Sequence, residues 1–182
     1  MEWGSDRIDP PIRGLRLLIL AEDEDGVVAA EAEGLGKAGP DESQFDKIRI
    51  HMKYVLDTNT LIYFFKGEGR VAQHLLAIPP SEIGIPAVVL YEIEVGIAKS
   101  TSPQKRKAQL EEFLSLVNII PLGGPEARIA ASLRARLESQ GRPIGPYDVL
   151  IAACALANNC ALVTHNKREF ERIERLKIED WY

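Results

Sequence analysis

The chain has 182 residues, with 27 acidic and 22 basic side chains and 46% apolar residues, close to the average for a soluble globular protein. A net charge of −5 argues against a broad basic nucleic-acid footprint, and the two cysteines, Cys154 and Cys160, show no CxxC spacing that would support a disulfide framework or a Cys-based zinc site. The longest apolar run, Val149 to Ala157, falls well short of a membrane span, and the opening Met1-Glu2-Trp3-Gly4-Ser5-Asp6 lacks the positive start of a secretory signal, so a cytoplasmic protein is expected.

Charge divides the chain into two unlike pieces. Residues 1–51 hold twelve acidic and six basic side chains, whereas residues 52–182 hold fifteen and sixteen. The first piece contains one short apolar run, Leu17 to Ala21, then Glu22-Asp23-Glu24-Asp25 and a Gly/Ala/Pro stretch from Gly34 to Asp41, a composition that favours linker or disorder. At Met52 the texture changes to Met52-Lys53-Tyr54-Val55-Leu56-Asp57, the pattern of a domain opening on a buried strand. The expectation is a folded domain at 52–182 with residues 1–51 as a dispensable extension, or Met52 as the real start. Those 131 residues suffice to bury roughly two thirds of the unfolded surface in one core.

Within this body, Tyr54 to Leu56 reads as a strand and Thr58 to Phe65 as a helix ended by Lys66-Gly67. A second helix follows over Val71 to Leu76. Ile83 to Ile85 reads as a strand stopped by Pro86, and Ala87 to Lys99 as a helix apolar almost all round. Ser102-Pro103, an N-cap with Pro in the first helical position, opens a helix to about Leu116, and Val117 to Ile120 is a third strand. Gly123-Gly124-Pro125 opens the next helix, in which Ile129, Leu133 and Leu137 recur at four-residue intervals before Gly141 ends it. Asp148 to Ala157 reads as an apolar helix, Ala161 to Thr164 as a strand, Arg168 to Glu174 as a short helix and Leu176 to Ile178 as a last strand. Short apolar strands alternating with helices imply an α/β fold with a parallel sheet covered on both faces.

In an open α/β sheet the crevice lies beyond the carboxyl ends of the strands, so residues just past a strand are the first candidates for chemistry. Asp57 ends the first strand, and its bland alternative is a helix N-cap. Glu92 lies among Val88, Val89, Val95 and Gly96, where an unpartnered carboxylate is costly, so it needs a metal, a cation or a wet cleft. Glu94, two residues on, raises the same question, and periodicity does not choose between them. Asp148 precedes the apolar run Val149 to Ala157, at the mouth of a helix where an acid also suits the dipole. Asn166, just past the strand ending in Thr164, can orient a water or phosphate but brings no charge; its alternative is a turn residue. Three acids at one sheet edge repel unless a divalent cation intervenes. All-oxygen ligands select Mg²⁺ or Mn²⁺, which points to phosphodiester hydrolysis by metal-activated water.

Four blocks in order, Met52 to Ile62, Tyr91 to Ile97, Ile144 to Ala153 and Leu162 to Phe170, closed by Glu179-Asp180-Trp181, resemble a PIN-domain ribonuclease of the VapC toxin family. The likeness covers essentially all of 52–182. It implies a three-layer α/β/α fold with a short parallel central sheet, a homodimer, Mg²⁺- or Mn²⁺-dependent cleavage of RNA as the toxin of a toxin–antitoxin pair, and a cognate antitoxin protein as partner. It assigns the metal-binding acids to Asp57, Glu92 and Asp148, leaving Glu94 a bystander, and puts Asn166 where many PIN domains carry a fourth acid. Thr58, Asn59 and Thr164 match the family's supporting polar residues. The helix Ala87 to Ile97 would sit where such toxins meet the antitoxin or each other.

Other readings explain less. A haloacid-dehalogenase-type phosphatase needs a second acid where Asn59 stands, and a dinucleotide-binding domain needs a Gly-rich turn after the first strand. Nucleophilic catalysis by Cys154 or a Ser/His pair lacks an evident acid to orient His165 or His74. Lys105-Arg106-Lys107, Lys167-Arg168 with Arg172 and Arg175, and Arg134 with Arg136 read first as solvated helix faces. The alternative function is a non-catalytic PIN scaffold that binds RNA or protein, whose mark would be loss of the acids that this chain retains.

Overall fold

A computed structural model describes residues 52–182, so the linker-like reading of residues 1–51 lies outside the described residues. Five short strands form one sheet in the order β3-β2-β1-β4-β5, with β1 Tyr54–Leu56, β2 Ile83–Pro86, β3 Asn118–Ile120, β4 Ala161–Val163 and β5 Ile178–Glu179. Every pairing is parallel; Tyr54 is in register with Ile83 on one side and with Ala161 on the other. The helices that flank it are α1 Thr58–Lys66, α2 Val71–Leu75, α3 Ala87–Ala98, α4 Pro103–Leu114, α5 Gly124–Ser139, α6 Pro146–Ala157 and α7 Lys167–Phe170, with a 3₁₀ turn at Pro80–Glu82. The α/β/α layering read from the sequence is therefore observed. Among the described residues no helix is long and apolar enough to cross a membrane.

Strand order follows from burial. β1, β2 and β4 are apolar runs whose residues are almost all buried, as central strands covered on both faces require. From β1 the chain builds outward through β2 to β3, then returns on the other side of β1 to lay down β4 and β5. The direction of winding thus reverses between β1 and β4, which opens a crevice past their carboxyl ends. Phe64 and Phe65 of α1 meet Phe113 of α4 with ring centroids 5.3 and 5.8 Å apart, anchoring these helices in one core. Full burial of each such ring is worth on the order of 1.5–3 kcal/mol. Cys154 and Cys160 are free and buried, the core fillers expected of them.

Helix boundaries mostly match the sequence reading, and the departures have local causes. α1 stops because Gly67 takes the left-handed conformation at φ 65° and returns its N–H to Phe64 and Tyr63 carbonyls. α6 begins at Pro146, two residues before the expected Asp148, because Pro is favoured in the first helical position and Gly145 serves as the cap. Ser102 flanks α4 without making a side-chain cap bond, and α4 ends at Leu114, where the Ser115 N–H closes on Glu111. The expected helix over Arg168 to Glu174 is only the four residues of α7, followed by tight turns in which Ile173 bonds Phe170 and Leu176 bonds Ile173. Arg175 then takes φ 66°, which reverses the chain and moves the last strand to Ile178–Glu179.

Candidate active site

Asp57 stands at the β1/β4 reversal. Its N–H donates to Val163 O (3.0 Å), so the backbone that ends β1 is fixed by β4. Both carboxylate oxygens are engaged: Oδ1 accepts from the Thr58 N–H (2.7 Å) and Oδ2 from Thr164 Oγ1 (2.8 Å). Thr164 Oγ1 in turn accepts from the Asn166 N–H (3.0 Å), a relay from the β4 end to the acid. Thr60, which the sequence reading passed over, donates from Oγ1 to Val163 O (2.8 Å) and pins the first turn of α1 to β4. Asp57 does cap α1, and the capping bond fixes where the carboxylate points.

Glu92 reaches the same place from α3. Its Oε2 accepts from Thr58 Oγ1 at 2.6 Å, the partner that a carboxylate on this apolar helix requires. Thr58 is thus the hinge of the site, holding Asp57 with its N–H and Glu92 with its hydroxyl. Asp148 arrives in the first turn of α6, and the chain passes close beside it: a Cβ on Gly145 would lie 3.0 Å from Asp148 Oδ2 and would press on that carboxylate. Asn59 is exposed on α1, while Asn166 flanks α7 without a side-chain cap bond and contributes through its N–H.

The acids feel one another. Burial pushes the Asp57 carboxyl up to about 6; the Thr164 bond opposes this, Asp148 raises it, the Thr58 N–H lowers it and Glu92 raises it. Asp148 is also raised, first by burial, then by Glu169 and by Glu92. Glu169 is a group the sequence reading did not single out. It lies three residues past Asn166 in the first turn of α7, so negative charge reaches this edge near the position where Asn166 carries none. Arg172 fixes it, with Nη1 3.4 Å from Glu169 Oε2 and 2.9 Å from Pro143 O on the loop leading to α6.

Hard oxygen donors and mutual repulsion are what a divalent cation answers. Among the described residues no three acidic, His or Cys side chains are already drawn into a ligand cluster. Like charges hold themselves apart on their own hydrogen bonds, and gathering them takes positive charge between them. The residues present fit such an ion in charge and in donor type.

One expectation about the histidines is corrected. His165 does have an acid partner, since its Nδ1 lies 3.2 Å from Asp180, which also pairs with Lys167. Its ring packs against Tyr182 (4.6 Å), which itself meets Tyr63 (4.7 Å), so the pair belongs to an aromatic cluster beyond β4. His74 stacks on Trp181 at 5.5 Å. Cys154 is no nucleophile, because burial and then Glu126 push its thiol up to about 12.

Comparison with known proteins places the chain in a family. The PIN-domain family profile matches residues 54–176. The tRNA(fMet)-specific endonuclease VapC of Shigella flexneri is 35% identical over 130 residues, covering 71% of this chain and 98% of that protein. Ribonuclease VapC2 of Rickettsia felis is 37% identical over 132 residues, with the same coverage of both chains. Among solved structures, DNA-bound VapBC from Salmonella typhimurium superposes with a TM-score of 0.68 at 35% identity, covering 72% of this chain and 99% of that one. VapBC2 from Rickettsia felis, bound to a promoter DNA fragment, gives 0.66 at 34% identity over 72% and 100% of the two chains. With likeness of this extent over most of its length, the chain belongs to the PIN-domain family, among its VapC ribonucleases.

Proposed function

We propose that this chain is a metal-dependent endoribonuclease acting as the toxin of a toxin–antitoxin pair, with Asp57, Glu92 and Asp148 as its metal-binding acids. The observation that carries the reading is the Thr58 bridge, whose N–H holds Asp57 just past β1 and whose hydroxyl holds Glu92 on α3, with the Asp148 charge in the first turn of α6 felt at Asp57. Mg²⁺ or Mn²⁺ would supply Lewis-acid activation of water and neutralise charge at the scissile phosphate. The protein's share is orientation: Thr164 and the Thr58 N–H aim the two oxygens of Asp57, and the Thr58 hydroxyl holds Glu92. Asn166 supports the arrangement through Thr164, and Asn59 offers an exposed amide at the rim. The partners are RNA as substrate, a cognate antitoxin and a second copy of the chain, in the cytoplasm; residues 52–182 form the working domain. Relatives solved as VapBC complexes support the antitoxin.

The test is cleavage of total cellular RNA and of tRNA(fMet), the RNA named for the Shigella relative, by the full chain with Mg²⁺ or Mn²⁺ against EDTA. Glu92→Gln should abolish cutting by orders of magnitude, whereas Glu94→Gln should not. Equal losses would show that the choice of Glu92 is wrong. A folded chain that binds neither ion and cuts neither RNA would favour the non-catalytic scaffold.

A further inference from the structure

Each of two acids is preceded by a tyrosine: Tyr91 by Glu92 on α3, Tyr147 by Asp148 on α6. The rings meet across the two helices with centroids 5.8 Å apart at 68°, and they are among the exposed large hydrophobic side chains of a single copy of the domain, 52% and 41% accessible. They line a cavity of about 220 Å³ together with Glu92, Val95, Gly96 and Lys99. Its lining is mostly apolar and includes the Glu92 carboxylate and the Lys99 cation. We propose that Tyr91 and Tyr147 form a stacking platform for an unpaired nucleobase of the substrate strand; this rests on the nuclease reading above.

The physical case is one of exposure and position. An edge-to-face pair occupies a single face of one ring, so half-exposed tyrosines in that arrangement keep aromatic area open to water. Each phenol gives a stacked base a flat, amphipathic surface, the means by which proteins hold single strands. Gly96 adds no side chain to the cavity, and Lys99 offers charge to a flanking phosphate. Because Glu92 lines the cavity and also bonds Thr58 at the acid cluster, a base held there puts its own strand beside the carboxylates. A duplex, whose bases are stacked inward, cannot offer this contact. The platform therefore selects unpaired RNA, with little preference for base identity.

The test is binding of a fluorescein-labelled single-stranded RNA octanucleotide to the full chain carrying Asp57→Asn, with Mg²⁺ present. Tyr91→Ala and Tyr147→Ala should each weaken binding about five- to a hundred-fold. Tyr91→Phe and Tyr147→Phe should bind like the parent, and an abasic octamer or a duplex of the same sequence should bind the parent as weakly as the octamer binds the Ala variants. Unchanged binding by the Ala variants, equal binding of the abasic strand, or losses as large with Phe as with Ala would overturn the proposal. So would a loss confined to binding of a co-expressed antitoxin or to self-association of the chain, either of which would make the cavity a protein-docking surface. Metal-dependent cleavage by the unsubstituted chain, measured alongside, separates the two readings. Cutting with binding indifferent to the tyrosines refutes the platform alone; ring-dependent binding with no cutting of any RNA supports the platform and refutes the nuclease.

Discussion

Asp57→Asn should stabilise the metal-free protein at neutral pH, the reverse of the usual effect of altering a buried, doubly hydrogen-bonded side chain. The native environment raises this carboxyl from 3.8 to about 6 despite the bonds from Thr164 and Thr58, because burial and the charges of Asp148 and Glu92 outweigh them. A group whose native pKa lies above its unfolded value contributes stability below the unfolded value, and loses it as pH rises through the native one. For Asp57 the loss falls between about pH 4 and pH 6 and is complete by about pH 7. At 1.36 kcal/mol per pKa unit the ionised carboxylate costs about 3 kcal/mol. An amide of the same shape still accepts from the Thr58 N–H, and it carries no charge to desolvate.

Urea unfolding of the full chain and of Asp57→Asn in EDTA, from pH 4 to pH 8, measures this directly. The variant should gain on the parent by up to about 3 kcal/mol as pH rises, with the two converging near pH 4. Mg²⁺ or Mn²⁺ at a hundred times its dissociation constant should restore about 2.7 kcal/mol to the parent, and much less to the variant. A variant less stable than the parent at pH 8, or a difference that ignores pH, would refute the reasoning.

Thr164→Val keeps the shape of a fully buried residue but leaves the Asn166 N–H without its acceptor and Asp57 Oδ2 without its donor. It should destabilise the protein by about 1–3 kcal/mol at pH 8 in urea unfolding, and unaltered stability would contradict the relay. Cys154 and Cys160, with thiols pushed up to about 12 and about 11, should resist Ellman's reagent at pH 8 until denaturant is added. Rapid labelling of either in the native protein would show that the core described here is wrong.

The strands and the acids at their ends were readable from the sequence because both obey local rules. A buried parallel strand is a short apolar run, and the residue after it lies at the crevice. Periodicity does not choose between Glu92 and Glu94, since α3 is apolar almost all round; what sets Glu92 apart in the structure is its bond to Thr58, which lies 34 residues away in sequence. Thr60 and Glu169 were missed for related reasons. The Thr60 hydroxyl finds its acceptor only once β4 lies beside β1, and Glu169 reads as an ordinary solvated acid until α7 is docked near α6. The Asp180 partner of His165 likewise depends on the chain reversal at Arg175, which no apolar pattern announces.

The separation of β1 from β4 along the chain also sets when the site can exist. Asp57 is synthesised early in the domain, yet the hydroxyl that aims it belongs to Thr164, 107 residues later. Local helices can form as the chain emerges from a ribosome, but this pairing cannot begin before β4 has emerged, and non-local parallel pairing is slow to close. A nascent chain therefore carries the acids without the geometry that makes them a site. For a protein that cuts RNA, the order of strands in the sheet delays the danger until its own translation is nearly finished.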